Sequence, residues 1–490
     1  MTKEIVTLHV GQCGNNIGNE FWNQICLEHG INKDGFLLDK TPIGDDKDVF
    51  FFQTGTNRYY PRALLIDLEP RVISSILNSE NKNLFNPENV FLSKDSMGAG
   101  NNWGVGYTYG NQFNDELSEI VDREVDNADN LEGFVLSHSI GGGTGSGLGS
   151  YLLEMINENY PKKLIKTFSV FPQLKKSSDV VVQPYNTILS LKRLILNADL
   201  VNVIDNNVVN NHSFTSDNLL SLRSHNSNNN SLKENSTSFE ENSNSKEKLQ
   251  YNNKLVMTYK YLDYITNFIN IISKNIMNIQ IGNIMSSVTS CIRFPGPINN
   301  DLISLVSSLV IIPRCHFLIS SIMDHENITL LNLVKKLYYP NNFLVYTSTK
   351  NGKYLSALNI IRGNNINPSD VYKCIEKIKE KRLVEFIKWN PANIQVNLIK
   401  QSPHKQDKTN GILVANHTSI NQVFEDCILQ FDKLYSRRAF LDNYRKAEFF
   451  SREDGKGDFE EMEHSREVVE LVKEEYIRSQ QDDYYDLSCK

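Results

Sequence analysis

Over its first two hundred residues the chain alternates short apolar runs with stretches of helical period. Ile5–Val10 reads as a strand that runs into Gly11-Gln12-Cys13-Gly14. A helix follows, with Ile17, Phe21 and Ile25 on one face and Gly30 as its stop. Ala63–Asp67 is a second predicted strand, and Phe134–Ser137 a third that leads into Gly141-Gly142-Gly143-Thr144-Gly145-Ser146-Gly147. Leu148, Leu152, Met155 and Ile156 line the next helix. Beyond it come a strand over Lys166–Phe171, a helix through Leu189 and Leu194, and a strand over Leu200–Ile204 that ends at Asp205-Asn206. This alternation predicts an α/β fold built on a parallel sheet with crossover helices. Each glycine or polar cluster falls at the C-terminal end of a strand, the edge at which open α/β sheets bind ligands.

The pattern stops near residue 210. Fifteen of the thirty residues from Ser221 to Gln250 are Asn or Ser, too polar to repay the entropy of ordering. Residues 210–252 therefore read as a disordered surface insertion. A long helix is predicted over Tyr259–Ser287, striped by Ile265, Phe268, Ile272, Ile276 and Ile279. Further on, strands are predicted at Phe343–Ser348 and Ala357–Ile361, with a helix over Pro368–Glu380. Two helices close the chain. One starts at Asn416-His417-Thr418-Ser419 and turns Val423, Cys427, Phe431 and Leu434 inward; the other runs over Phe459–Arg478. The organisation expected is a nucleotide-binding domain (1–209), the insertion (210–252), a central helix (253–290), a mixed α/β intermediate domain (291–415) and C-terminal helices with an acidic tail (416–490).

Composition removes several classes. The N-terminal residues do not read as a secretory signal, since Glu4 interrupts them and no small-residue cleavage site follows. The most apolar run, Leu302–Ile312, is about half of what spans a bilayer and is cut by Pro313. Seven cysteines without a Cys-x-x-Cys pair argue against a disulfide framework or a zinc site and for reduced thiols in the cytosol. Net charge is −7, and residues 451–490 carry thirteen acids against six bases, so the surplus sits in the tail. Such an end suits basic partners better than nucleic acid or anionic lipid.

The glycine run is the strongest chemical signal. Glycines let the backbone approach an anion, and the following helix offers free N–H groups. No Gly-Lys-Ser/Thr follows, and the glycine spacing fails after Gly145, which excludes the P-loop and disfavours a dinucleotide-binding oxidoreductase. Two further loops could cradle phosphate, one through Ala99, Gly100 and Asn101 and one through Gly11, Gln12 and Cys13. Asp67 and Glu69 offer hard oxygens for a magnesium ion. Asp179 suits a ribose hydroxyl, and Asn206 a base edge.

These segments together resemble the tubulin superfamily. Gly141–Gly147 looks like its signature, and Gly11–Gly14, Asp67-Leu68-Glu69-Pro70, Gly98–Trp103 and Val182–Asn186 match in order and spacing. Within the superfamily the likeness is greatest to the gamma-tubulins, carried by Tyr60–Ile73, Ser178–Asn186 and Ala415–Ile420. The resemblance implies a tubulin-like fold and GTP or GDP with Mg2+. It puts Gln12, Asn101, Ser139, Gly142, Gly143, Thr144 and Gly145 near the phosphates, Asp179 and Gln183 near the ribose, and Glu69 near the metal. Asn206 and Asn278 would read guanine, although Lys274 stands where the family has an aromatic one turn before Asn278. It further implies alpha/beta-tubulin, gamma-tubulin complex proteins and lateral gamma-tubulin neighbours as partners, and a place in the cytoplasm at a microtubule-organising centre or spindle pole. Nucleic acid and membrane are not expected.

Phe294–Ser304 resembles the segment with which alpha-tubulin presents a glutamate to the next subunit's nucleotide, but here Ser304 occupies that position. Serine cannot serve as a carboxylate base. The expectation is a GTP-holding template that nucleates, with no catalytic residue of its own and slow hydrolysis completed by an acid from alpha-tubulin. An alpha- or beta-like lattice subunit is the alternative.

Overall fold

The computed structural model describes residues 3–38, 42, 44–94, 98–172, 180–206, 275–296, 298–324, 329–349, 352–363, 366–381, 384–390, 394–400, 409–451 and 457–484. One compact unit comprises Met1–Val208 and Ile281–Lys490. The other, Val209–Gln280, is described only over 275–280, which are helical. The Asn/Ser-rich insertion and the stripe from Ile265 to Ile272 lie outside the described residues.

The first unit is organised on a ten-stranded sheet, in the order β5 (Val90–Leu92), β4 (Ala63–Asp67), β1 (Glu4–Val10), β6 (Leu131–Ser139), β7 (Leu164–Phe171), β8 (Leu200–Asp205), β9 (Phe317–Asp324), β12 (Asn410–His417), β10 (Tyr354–Arg362) and β11 (Ile394–Ile399). From β5 to β9 all pairings are parallel, and only β12 runs antiparallel to both its neighbours. β1 is buried along its whole length, as befits a parallel strand covered on both faces. Val6, Leu8 and Val10 join a core with Leu152 and Leu189 from the helices α5 (Gly149–Asn159) and α6 (Gln183–Asn197). The alternate residues Thr7 and His9 face α1 (Gly11–His29).

α1 lies unusually close to the sheet because of two glycines. A Cβ at Gly14 would stand 2.2 Å from the Ser137 carbonyl oxygen, and one at Gly18 would stand 2.4 Å from the His9 ring. At its far end Glu28 is buried between Arg293 (2.6 Å) and Arg362 (2.9 Å), which ties α1 to β10. Two guanidiniums thus depend on one carboxylate, a network that is costly to break from either side.

Two predicted elements are corrected. Phe343–Ser348 is no strand: Phe343 makes a single bridge to Ser321, and Leu344 is shared between Ser320 (N–H to carbonyl, 2.9 Å) and Asp205, whose N–H donates to it at 2.8 Å. The segment reaches both strands there, and β8 and β9 pair in register only at Val201–Phe317 and Asn202–Leu318. Asn416 and His417 do not begin a helix either. They end β12, where Asn416 Nδ2 donates to the carbonyls of Leu309 (3.1 Å) and Cys315 (2.6 Å), and the helix starts at Asn421. Pro368–Glu380 and the helix Glu460–Arg478 stand where the apolar period put them, the latter burying Met462, Val469, Val472 and Tyr476. Leu302–Leu309 is a helix. Among the described residues no helix is long and apolar enough to cross a membrane, and the described cysteines are unpaired.

Candidate nucleotide site

The C-terminal ends of β1, β5 and β6 bring three glycine turns into one place, beside the ends of β4, β7 and β8. Gly11 leaves β1 with φ +72°, and a Cβ there would meet Gly145 N at 3.0 Å and Thr144 Cβ at 3.4 Å. The first loop therefore rests directly on the third. On the other side, a Cβ at Gly143 would strike Asn102 N at 2.7 Å and Ala99 Cβ at 2.8 Å, so the second loop rests there too. Gly100 and Asn101 both adopt left-handed conformations, φ 53° and 55°, closing a turn from the Ala99 carbonyl to Asn102 N–H (2.9 Å).

Both walls border open space. Side chains added at Gly100 or Gly142 would meet nothing within 4 Å. Gln12, Gly100 and Asn101 are exposed, while Cys13, Ser139, Gly142 and Thr144 are half-buried. No side chain caps α1 at Val10, the π-turn Thr144–Leu148 that opens α5, or α6 at Val182. The N–H groups of a first helical turn have no intrahelical partners, and their dipole favours an anion. This is the cradle a polyphosphate needs.

Beside it, Asp67 is 2 % exposed, and its Oδ1 accepts the Glu69 N–H at 3.2 Å while its buried Oδ2 has no partner. Burial raises the Asp67 carboxyl to about 6. Glu69 lies against Gly98, where a Cβ would reach its Oε1 at 2.3 Å. An orphaned carboxylate oxygen next to a phosphate cradle fits a hard cation shared with the phosphates. Among the described residues no three His, Cys, Asp or Glu side chains form a metal cage, so the protein would supply only part of the coordination.

Gln183 sits in the first turn of α6 with its Cγ 3.3 Å from where a Gly141 side chain would start. Asn206 directly follows β8 and is half-buried. Asn278 is helical and half-buried within the second unit, and Asp179 lies outside the described residues. Burial pushes the Cys13 thiol up to about 12, so it stays protonated.

Three residues that hold this edge together lie outside the predicted site residues. Trp22 Nε1 donates to His9 Nε2 (3.0 Å), and an indole can only donate. That leaves His9 Nδ1–H for Ser137 Oγ (2.6 Å), whose own proton points to the Gly14 carbonyl (3.3 Å). His138 Nδ1 donates to the Gly145 carbonyl (2.8 Å) and its Nε2 accepts from Ser169 Oγ (2.9 Å). Burial lowers His9 to about 3 and His138 to about 4, keeping both neutral. Asn186 is the third, tying Asn101 to Gly141. A histidine near the end of a buried strand, two positions before Gly11 and three before Gly141, is the signal that sequence reading could have used.

A parallel sheet whose C-terminal edge gathers three glycine turns and an orphaned acid defines a nucleotide-binding α/β protein. The model described as Tubulin/FtsZ family, GTPase domain matches residues 4–213, and that described as Tubulin C-terminal domain matches residues 313–428. The chain belongs to the tubulin/FtsZ family of cytoskeletal GTPases, which implies GTP or GDP as its nucleotide.

Proposed function

We propose that the chain works as a gamma-tubulin does: loaded with GTP, it nucleates microtubules and caps their minus ends within a gamma-tubulin complex at an organising centre in the cytoplasm. Asp67 and Glu69 would hold the nucleotide's Mg2+, and Asp179, Gln183, Asn206 and Asn278 would select ribose and guanine. The domain reading is kept, with 1–209 binding GTP, 291–415 intermediate and 416–490 presenting the outer helical surface to gamma-complex proteins.

The supporting observation is Ser304. Its N–H donates to Asp301 Oδ1 (2.7 Å) and its hydroxyl oxygen accepts the Asp301 N–H (3.4 Å), a capping box at the start of Leu302–Leu309. Of the carboxylates nearby, Asp301 pairs with Lys3, and Glu132, 8 % exposed, accepts the Ile303 N–H at 3.2 Å on Oε1 while its Oε2 is sealed from solvent without a partner. With Ser304 where the resemblance has a glutamate, and with Asp301 paired to Lys3, this edge presents no glutamate at that position to a neighbour's GTP, and hydrolysis on this chain's own nucleotide would await the acid of a docked alpha-tubulin. The test is microtubule assembly with the chain far below the alpha/beta-tubulin concentration. Shortened nucleation lag, with the chain at one polymer end, is expected; incorporation along the whole polymer would instead mark a lattice subunit.

A further inference from the structure

Asn186 is 0 % exposed and uses its whole amide. Nδ2 donates to the carbonyls of Asn101 (2.8 Å) and Gly141 (3.0 Å), one on each side of the cradle. Oδ1 accepts the Trp103 N–H (2.9 Å) and the Tyr444 hydroxyl (2.6 Å). Two donors and two acceptor sites are all that an amide has. Three of the four bonds go to the two phosphate loops or the residue that follows one of them. The fourth goes to Tyr444, which is distant in sequence and stands on the short helix Leu441–Arg445.

Other contacts join the same two regions. Asn102 Nδ2 donates to the Asn443 carbonyl (2.9 Å). A side chain at Gly104 would lie 2.9 Å from both Ala447 Cβ and the Phe450 ring. Trp103 meets Phe449 edge-on at 5.3 Å. The segment is itself held in uncommon backbone geometry: Arg438 and Phe440 have φ of 50° and 62°. Between them the Ala439 carbonyl is pinned by the Tyr185 hydroxyl (2.8 Å). Non-glycine residues persist in that region only where their surroundings over-determine them.

We propose that Asn186 is a positioning residue for both phosphate loops, and that its bond to Tyr444 makes residues 440–450 a reporter of nucleotide occupancy. A ligand that draws Asn101 and Gly142 together fixes the carbonyls of Asn101 and Gly141, hence the Asn186 amide, hence the acceptor that holds Tyr444. By linkage the same coupling runs backward, so a partner that fixes 440–450 tightens nucleotide binding by the same factor. The inference rests on the nucleotide-site reading above.

Amide hydrogen exchange on the full chain, with and without GTP, tests it in wild type and in Tyr444→Phe. The variant deletes one hydroxyl and keeps the ring packing against Tyr185 and Phe450. In wild type GTP is expected to slow exchange at 99–103, 141–147 and 440–450. In Tyr444→Phe the two loops should still respond, the response at 440–450 should shrink to what the Asn102–Asn443 and Trp103–Phe449 contacts carry, and GTP affinity should fall roughly 3- to 10-fold, as for one lost neutral hydrogen bond. An unchanged response at 440–450 in the variant, or none there in wild type while the loops respond, overturns the coupling. No response in the wild-type loops overturns the nucleotide site itself, and the coupling with it.

Discussion

The two ends of the parallel sheet begin most of their helices differently. At the C-terminal edge α1, the π-turn before α5, and α6 start without side-chain caps, and two of them emerge directly from glycine turns, although Asn102 caps the helix Trp103–Gln112 that leaves the second loop. At the N-terminal edge Leu302–Leu309 is closed by its own Asp301–Ser304 box, with Glu132 accepting a further N–H and Lys3 pairing with Asp301. An uncapped, glycine-walled terminus leaves donors for an external anion, while a boxed one has used them. One edge is thus open to a nucleotide's phosphates, while the other has closed the start of its helix with its own side chains.

The comparison breaks most severely at Gly143. Gly143→Ala places a methyl against the Asn102 nitrogen and Ala99. It should separate the loops, cost at least two charge-assisted hydrogen bonds to phosphate, and weaken GTP binding about 100-fold or more. Gly142→Ala sharpens the result, because its methyl meets no protein atom within 4 Å. That variant should melt like wild type without nucleotide yet bind GTP more weakly in a filter-binding assay. At the other edge Asp301→Ala removes the cap and should cost about 1–2 kcal/mol in denaturant unfolding. GTP affinity should not move.

Ser304→Glu tests the same edge from the opposite direction. Glutamate at the third helical position is itself the usual capping-box partner, so stability should stay within about 0.5 kcal/mol of wild type. A carboxylate would then stand at position 304. Under the proposed function, GTP turnover by subunits docked on that edge should rise, read as phosphate release.

A further expected effect concerns pH. An unfolded histidine titrates near 6.5, whereas burial lowers folded His138 to about 4. Between those values the unfolded chain binds more protons, so His138 lowers stability progressively as pH falls from 6.5 toward 4. His138→Asn can keep the donor to Gly145 but cannot charge. Relative to wild type it should gain on the order of 1 kcal/mol per pH unit across that window, measured by urea unfolding at pH 7, 6 and 5.

Much of the site was legible because glycines and acids at strand ends leave a local mark. The parallel sheet, the three loops and the pair Asp67 and Glu69 follow from apolar runs ending in such clusters. What was missed acts at long range. Phe343–Ser348 has the composition of a strand, yet its backbone is divided between β8 and β9. Asn416 and His417 look like a helix start, but cross-strand pairing with β9 and β10 claims them. Asn186 and Tyr444 are 258 positions apart, and no local pattern announces a bond between them.

The most direct test of the central claim is the nucleotide content of the purified full chain, released by denaturation and resolved by ion-exchange chromatography. A receiving edge of the tubulin/FtsZ kind predicts stoichiometric GTP or GDP in wild type and its loss in Gly143→Ala. Recovery of adenine or nicotinamide nucleotides, or of no nucleotide even after incubation with GTP and Mg2+, would contradict the account.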